Sequence, residues 1–465
     1  MTVAIANSEA EIIADLLDRA RSAMQVFSEV DQSRADEAVT AVAWALYQPE
    51  RARELAELAV QDTGLGNVAD KIIKNQRKTF GTLRDLLRVK TVGIIEQDPV
   101  HGLVKYAKPV GVVAAITPST NPAATPVNKT MMALKGRNAI IIAPSPSGWN
   151  TTQHIVGYMR QALEHIGLPA DLVQILPKPV TRTLTQALMQ AADLIVATGS
   201  QNNVRAAYSS GTPAIGVGAG NVPVIIDSSA DLADAAGKIS ASKTFDNATS
   251  CSSENALIIL DEVYDQAIQA LCDAGAHLTD AAEKQRIQAS LWVNGQLNRN
   301  LIAKDADVLA EQLDLPPARF YLVEETSTDT PFADEKLALV LTVYRARDLD
   351  AAIALVNQIL AVKGRGHSCG IHTQNLQHAR QLAEQLEVVR VLVNQAHTFG
   401  NGGGFDSGLN FTLSMGCGTW GGNSISENLN YRHFINITHL VTTIPPDKPS
   451  EEELFGAYWA KYGRA

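Results

Sequence analysis

The stretch Val110-Gly111-Val112-Val113-Ala114-Ala115-Ile116 is an unbroken apolar run of strand length. A strand with no polar face must be buried on both sides, as in a parallel sheet covered by helices. The polar segment Thr117-Pro118-Ser119-Thr120-Asn121-Pro122 follows at once and marks the carboxyl end of this strand. The pattern therefore predicts an α/β fold with a ligand cleft where its strands end.

Strands and helices alternate along the chain after this run. We predict further strands at residues 138–143, 172–176, 193–197 and 224–227, with helices at 151–166 and 183–191. Such a series is typical of a doubly wound α/β domain. A second series begins at residue 256, and residues 1–91 show mostly helical periodicity. We therefore expect two α/β units behind a helical start.

The bulk properties exclude several classes of protein. A chain of 465 residues is too long for one ordinary core, which predicts two or three domains. The formal net charge of −10 argues against nucleic acid and anionic membrane as partners. No signal peptide opens the chain and no apolar run is long enough to cross a bilayer, so we expect a cytoplasmic protein.

One cysteine stands among small hydroxyl residues in the segment Phe245-Asp246-Asn247-Ala248-Thr249-Ser250-Cys251-Ser252-Ser253-Glu254-Asn255. A thiolate attacks carbonyl carbon readily once its pKa is lowered, so Cys251 is the candidate nucleophile of a thioacyl enzyme. The alternative is a buried cysteine that only packs. The four cysteines form no Cys-x-x-Cys pair, which favours a reducing compartment and disfavours a metal site.

Asn121 lies at the carboxyl end of the first buried strand, facing the predicted cleft. Its amide and the backbone N–H of Cys251 are suited to stabilise an oxyanion. The alternative is an asparagine that only forms a turn before Pro122.

Three loops at strand ends are candidates for binding a nucleotide cofactor. Their residues are Thr117, Pro118 and Ser119; Ala143, Pro144 and Ser145; and Thr198, Gly199 and Ser200. The Gly-x-Gly-x-x-Gly fingerprint is missing, because Gly216-Val217-Gly218-Ala219-Gly220 has the wrong spacing. Ordinary βα loops are therefore the alternative.

Together these features resemble the aldehyde dehydrogenase superfamily, and specifically its CoA-acylating branch. Four co-linear stretches carry the resemblance, at residues 118–122, 207–223, 246–254 and 416–428. The resemblance implies a Rossmann-type cofactor domain, an α/β catalytic domain and a small β oligomerisation element. The corresponding ranges are 1–91 with 109–240, 241–430, and 92–108 with 431–449, followed by a tail helix at 450–465. A homodimer or homotetramer is expected.

The departure from hydrolytic relatives concerns one stretch. Those enzymes keep a water-activating glutamate where this chain has Gly218-Ala219-Gly220-Asn221. Without a base, water attacks a thioester slowly, whereas a CoA thiolate needs less activation. The resemblance therefore implies the reaction aldehyde + CoA + NAD(P)⁺ ⇌ acyl-CoA + NAD(P)H + H⁺. A hydrolytic enzyme with an unrecognised base and a catalytically silent scaffold are the rivals.

The resemblance also assigns single residues. It implies that Gly218 lies at the cofactor, that Glu335 binds the nicotinamide ribose, and that His367 takes part in catalysis. A solvated charge and a structural histidine are the alternatives for Glu335 and His367. The loop at residues 144–150 has serines and no acid to repel a 2′-phosphate, but it also lacks a basic residue to bind one. We therefore expect NADP or NAD as cofactor, with acceptance of NADPH.

The substrate prediction rests on polar residues near the nucleophile. Ser250 and Ser252 flank Cys251, and His397 and Asn401 belong to a donor-rich segment at residues 394–401. An apolar tail would leave such donors unpaired, at roughly 1–3 kcal/mol each. We expect a short aldehyde with an anionic tail, sulfoacetaldehyde first, and the whole chain also resembles acylating sulfoacetaldehyde dehydrogenases as a group. The alternative is a pocket for acetyl or propionyl groups.

Overall fold

The computed structural model describes residues 8–464. The expectation that no targeting segment opens the chain concerns residues 1–7, which lie outside the described residues. The first helix begins with a capping box formed by Ser8 and Glu11. The Ser8 N–H donates to Glu11 Oε2 at 2.7 Å, and the Glu11 N–H donates to Ser8 Oγ at 3.3 Å.

Helices make up about the first fifth of the described chain and then alternate with strands. They are α1 (Glu9–Phe27), α2 (Gln32–Tyr47), α3 (Pro49–Thr63), α4 (Val68–Leu87), α5 (Ala124–Lys135), α6 (Trp149–His165), α7 (Arg182–Ala191), α8 (Gln201–Tyr208), α9 (Leu232–Thr244), α10 (Tyr264–Asp273), α11 (Ala281–Leu291), α12 (Ala306–Leu313), α13 (Leu349–Val362), α14 (Leu376–Gln385), α15 (His397–Gly400) and α16 (Glu451–Tyr462). None of the helices within residues 8–464 combines the length and apolarity needed to cross a membrane.

The strands form two parallel sheets, one antiparallel ribbon and a short hairpin. They are β1 (Gly93–Asp98), β2 (Leu103–Pro109), β3 (Val112–Thr117), β4 (Ala139–Pro144), β5 (Val173–Ile175), β6 (Leu194–Ala197), β7 (Ala214–Gly216), β8 (Val222–Ile226), β9 (Glu254–Leu260), β10 (Ala276–Leu278), β11 (Trp292–Val293), β12 (Gln296–Leu297), β13 (Phe320–Glu324), β14 (Val340–Ala346), β15 (Cys369–His372), β16 (Val391–Val393) and β17 (Ile435–Val441).

The first sheet has the strand order β5-β4-β3-β6-β7, and every pair in it is parallel. All residues of β3 and β4 are buried, as the apolar runs predict. One apolar core joins the sheet to α1, α2 and α5. The predicted doubly wound α/β architecture is therefore confirmed for this half of the chain.

The second sheet has the order β10-β13-β14-β9-β8-β15-β16 and is also parallel throughout. The expectation that the strand at 224–227 belongs to the first series is wrong, because β8 pairs with β9 and β15. The chain leaves the first sheet after Gly216 and crosses to the second over residues 217–221. The division of the chain into four parts stays a prediction, and sheet membership favours a boundary at this crossing rather than at residue 240.

A three-stranded antiparallel sheet has the order β1-β2-β17. It joins the two parts of the predicted oligomerisation element, at residues 92–108 and 431–449. Ile437, Leu440 and Val441 are exposed on β17. The role of this sheet in oligomerisation stays a prediction.

A cavity lies between the two parallel sheets. Residues at the carboxyl ends of β3, β4 and β6 line it, together with Cys251, which lies just before the amino end of β9. The fold thus brings the expected cofactor loops to the expected nucleophile.

Candidate active site

The cavity has a volume of about 540 Å³. Most of the predicted site residues line it, namely Thr117, Pro118, Ser119, Asn121, Ser145, Thr198, Gly199, Ser200, Gly218, Ser250, Cys251, Ser252 and Glu335. Residues that are far apart in sequence therefore share one wall.

The segment before the nucleophile is a left-handed turn. Asp246, Asn247 and Ala248 have φ angles of 49°, 54° and 59°, a region that costs free energy for residues other than glycine. The start of α4 compensates for this cost. The Asp246 N–H donates to Asp70 Oδ2 at 2.7 Å, and Asp246 Oδ1 accepts from the Asn67 N–H at 3.0 Å. The turn is thus anchored to α4.

Two lysines of α4 form buried ion pairs with the same turn. Lys71 Nζ lies 3.1 Å from Asp246 Oδ2, and Lys74 pairs with the same oxygen. Burial alone would raise the pKa of Asp246, but Lys74 and Lys71 outweigh it and hold that pKa below its usual value. The carboxylate is therefore ionised, and it fixes the turn that presents Cys251.

The Cys251 thiol lies on the cavity wall, and its side chain is partly buried. Burial raises the pKa of this thiol to about 12, and the nearby Glu335 adds to the shift, whereas Arg390 opposes it. The thiol is therefore protonated near neutral pH when no ligand is bound. Attack on a carbonyl requires a proton acceptor.

Glu335 is the carboxylate on this wall. Burial raises its pKa to about 7, and the ammonium of Lys363, 3.8 Å from Glu335 Oε2, opposes that shift. The side chain is therefore partly ionised near neutrality. It can accept a proton, and its negative charge disfavours a thiolate at Cys251.

Asn121 follows β3 and faces the cavity. Its amide nitrogen lies 3.4 Å from Thr120 Oγ1, a long hydrogen bond that is easily exchanged for a better acceptor. The side chain is thus available to donate to an oxygen bound beside Cys251.

The strand ends opposite the thiol suit a nicotinamide cofactor. Thr117 Oγ1 is buried without a hydrogen-bond partner among residues 8–464, and Ser200 caps α8 by accepting from the Asn203 N–H at 3.3 Å. Ser145 lines the cavity, whereas Ala143 and Pro144 are the last residues of β4 and stay outside the cavity wall. Polar groups at the ends of adjacent parallel strands fit a dinucleotide.

Three predicted site residues lie behind the wall rather than on it. His397 Nδ1 lies 2.9 Å from the Ser252 carbonyl oxygen, and Asn401 Nδ2 donates to Ser252 Oγ at 2.9 Å. His367 is also buried, and its Nδ1 lies 2.8 Å from Ser368 Oγ. The expectation that His397 and Asn401 face the aldehyde is not met in this geometry, because both lie behind the cavity wall and contact Ser252.

Sequence reasoning missed the contribution of α4. Lys74, Arg77 and Lys78 line the cavity beside Cys251. The sequence does contain a pattern that marks this helix face. Lys71, Lys74 and Lys78 recur at spacings of three and four and so share one face of the helix. Lysines at this spacing normally mark a solvated face, whereas here the three are buried.

Comparison with known proteins agrees with this geometry. The sequence profile of the aldehyde dehydrogenase family matches residues 1–308, about two thirds of the chain. The chain is 53% identical to the acylating sulfoacetaldehyde dehydrogenase of Cupriavidus necator, covering 99% of this chain and 94% of that protein. This chain belongs to the aldehyde dehydrogenase family.

Two further relatives place this aldehyde dehydrogenase within the family. The acylating sulfoacetaldehyde dehydrogenase of Bilophila wadsworthia is 43% identical, over 97% of this chain and 99% of that one. The crystal structure of an acetylating aldehyde dehydrogenase from Geobacillus thermoglucosidasius superposes with a TM-score of 0.91 at 35% identity, covering 95% and 98% of the two chains. The predicted CoA-acylating branch and its α/β fold are confirmed.

Proposed function

We propose that this aldehyde dehydrogenase interconverts sulfoacetaldehyde and sulfoacetyl-CoA, using NAD(P)(H) and a thioacyl intermediate on Cys251. The acylating chemistry follows from its branch of the family. Two observations support the sulfonated substrate. Similar proteins include acylating sulfoacetaldehyde dehydrogenases, and the cavity wall carries positively charged side chains.

One observation carries the acylating reaction. The stretch that holds the water-activating glutamate in hydrolytic relatives is Gly218–Asn221, and it lies directly against the nucleophile. A Cβ at Gly220 would overlap the backbone carbonyl of Cys251. Asn221 turns away, because its Nδ2 donates to the Ala333 carbonyl oxygen at 2.9 Å. No side chain of this stretch is therefore suited to activate water.

Cys251 and Asn121 have separate roles in the proposed reaction. Cys251 gives its proton to an acceptor and attacks the carbonyl carbon, forming a thiohemiacetal. Asn121 Nδ2 and the Cys251 N–H donate to the oxyanion. A nicotinamide held by the loops after β3, β4 and β6 would supply the hydride acceptor, and loss of hydride from the thiohemiacetal would leave a thioester on Cys251. Sulfur of CoA then attacks this thioester, and the acyl group leaves as acyl-CoA while the Cys251 thiol re-forms.

The cofactor preference rests on the loop after β4. Asn150 Oδ1 accepts from Lys178 Nζ at 2.6 Å, which brings a cation to a loop that lacks one in its own sequence. Asp62 also reaches this loop, but one of its oxygens accepts from Asn150 and the other from Thr151. Lys178 therefore offsets the charge of Asp62, so that the loop carries no net negative charge to repel the 2′-phosphate of NADP.

The oligomeric state is part of the same proposal. The edge strand β17 presents an unpaired backbone edge together with exposed apolar side chains. Such an edge needs a cover, and a second copy of the β1-β2-β17 sheet supplies one. A homodimer or homotetramer is expected.

Product analysis with and without CoA tests the proposed reaction. We expect sulfoacetyl-CoA with CoA present and very slow formation of sulfoacetate without it. Rapid CoA-independent acid formation would support the hydrolytic rival, with Glu335 as its base. An absence of turnover for sulfoacetaldehyde, acetaldehyde and propionaldehyde would support the silent scaffold.

A further inference from the structure

Helix α4 turns a cationic face toward the nucleophile. Lys74, Arg77 and Lys78 all line the Cys251 cavity, and Lys74 and Lys78 are only 6% and 8% exposed. A buried charge is costly unless an opposite charge or several hydrogen bonds compensate for it. The partners of each cation therefore indicate what the cavity is built to bind.

A carboxylate compensates the buried charge of Lys74, whereas none compensates that of Lys78 among the described residues. Lys74 pairs with Asp246 and donates to Thr249 Oγ1 at 3.2 Å. Lys78 Nζ donates to the Gly402 carbonyl oxygen at 2.7 Å, and no carboxylate within residues 8–464 forms an ion pair with it. An ammonium has three N–H donors, so Lys78 faces the cavity with donors to spare.

Arg77 is held in place without being neutralised. Its guanidinium lies 5.4 Å from the ring centre of Phe399 and 5.2 Å from that of Phe411. The exposed Asp406 acts on it only from a distance, because the two form no ion pair within 4 Å. The aromatic rings position the cation, and its charge remains directed at the cavity.

Lys78 lines the same cavity as the reacting sulfur of Cys251. Burial, with Arg77 and Lys74 nearby, lowers the pKa of Lys78 to about 7, whereas a thiolate at Cys251 raises it. In sulfoacetaldehyde a single methylene separates the carbonyl carbon from the sulfonate. A group that binds this sulfonate must therefore share the cavity of the nucleophile, as Lys78 does.

We infer that Lys78, with Arg77 beside it, binds the sulfonate of the substrate and makes this cavity selective for aldehydes with an anionic tail. The inference rests on the proposed function. The three sulfonate oxygens accept from the free donors of Lys78 and complete its charge compensation. An uncharged aldehyde leaves the ammonium unpaired, which disfavours binding of acetaldehyde and propionaldehyde.

Specificity constants for sulfoacetaldehyde and propionaldehyde test this inference. We expect Lys78→Met to lower the ratio of the two constants by about 100-fold, the usual scale for losing one partner of a buried charge pair. Lys78→Arg keeps a cation and retains most of the ratio. Lys90→Met makes the same change on the exposed surface and leaves both constants as they are.

Inhibition by ethanesulfonate gives a readout that does not depend on turnover of a sulfonated aldehyde. We expect competitive inhibition of propionaldehyde oxidation in the wild type, and much weaker inhibition in Lys78→Met or, should that variant fold poorly, in Arg77→Met. A Lys78→Met enzyme that loses activity toward both aldehydes equally, with unchanged ethanesulfonate inhibition, overturns the inference and leaves the proposed substrate intact. A wild type that prefers propionaldehyde overturns the proposed substrate itself.

Discussion

Lys71 Nζ lies 3.1 Å from Asp246 Oδ2, and both side chains are almost fully buried. This contact joins the first helical layer to the turn that presents the nucleophile. It explains how a turn of three left-handed residues persists in front of Cys251.

Replacing Asp246 should therefore destabilise the whole enzyme. In Asp246→Asn, Lys71 and Lys74 lose their shared carboxylate, and we expect a loss of about 3–5 kcal/mol in the free energy of unfolding. Urea denaturation measures this loss. Asp18→Asn, an exposed change on α1, should stay within about 0.5 kcal/mol. Equal stabilities for the two variants would contradict the anchoring role.

The same carboxylate should set part of the acid sensitivity. Its pKa is lower in the folded state, so its stabilisation is complete above the unfolded value of about 3.9 and is lost as the pH falls through the folded value. The stability difference between the wild type and Asp246→Asn should therefore shrink below about pH 4. Denaturation curves from pH 7 to pH 3 check this, and a difference that grows in acid would contradict it.

Cys251→Ala should abolish turnover while the fold survives, because the covalent route requires the sulfur. Intact-protein mass spectrometry after mixing with acyl-CoA, without reduced cofactor, should show an acyl adduct on the wild type and none on the variant. Cys272→Ala is the matched control and should keep the activity and the adduct. A Cys251→Ala enzyme at near wild-type rate would disprove the nucleophile.

Glu335→Gln should make the Cys251 thiol more reactive. The Glu335 charge raises the pKa of this thiol, and Glu335 itself ionises around pH 7. The ratio of variant to wild-type alkylation rates by iodoacetamide should thus be near one at pH 6 and several-fold at pH 8.5. A ratio that does not change with pH would show that the two groups do not interact. A raised KM for the cofactor in the same variant would support the ribose contact.

NADPH should be accepted, and Lys178→Gln should raise the KM for NADPH more than the KM for NADH. The reason is the cation that Lys178 brings to Asn150. Steady-state kinetics with both reduced cofactors checks this. A large advantage of NADH in the wild type would rule out the preference.

The buried strands β3, β4 and β9 could be predicted from sequence because apolar runs of strand length have one common explanation. Helix α5 could not, because all its residues are buried and a helix buried on every side has no polar face to mark its period. The membership of β8 was missed for a related reason. An apolar strand carries no sign of which parallel sheet it joins.

The residues of the candidate site also fall into those that could be predicted from sequence and those that could not. Residues that follow a strand or sit in a motif, such as Asn121 and Cys251, could be placed in advance. The role of Lys78 could not, since it depends on the packing of α4 against the cysteine turn, which brings together residues far apart in sequence. His397 and Asn401 show the converse, because polar side chains near a nucleophile in sequence can lie behind the cavity wall and contact the loop that carries it.

The crossing segment Gly218–Asn221, which carries no carboxylate, also determines whether the free energy of aldehyde oxidation is conserved in a thioester. A general base at that position would promote hydrolysis of the thioester to a free acid, and aldehyde oxidation would then be effectively irreversible. Without it, the energy is conserved in the product as another thioester. The reaction is then reversible, and the cellular ratios of acyl-CoA to CoA and of reduced to oxidised cofactor set its net direction.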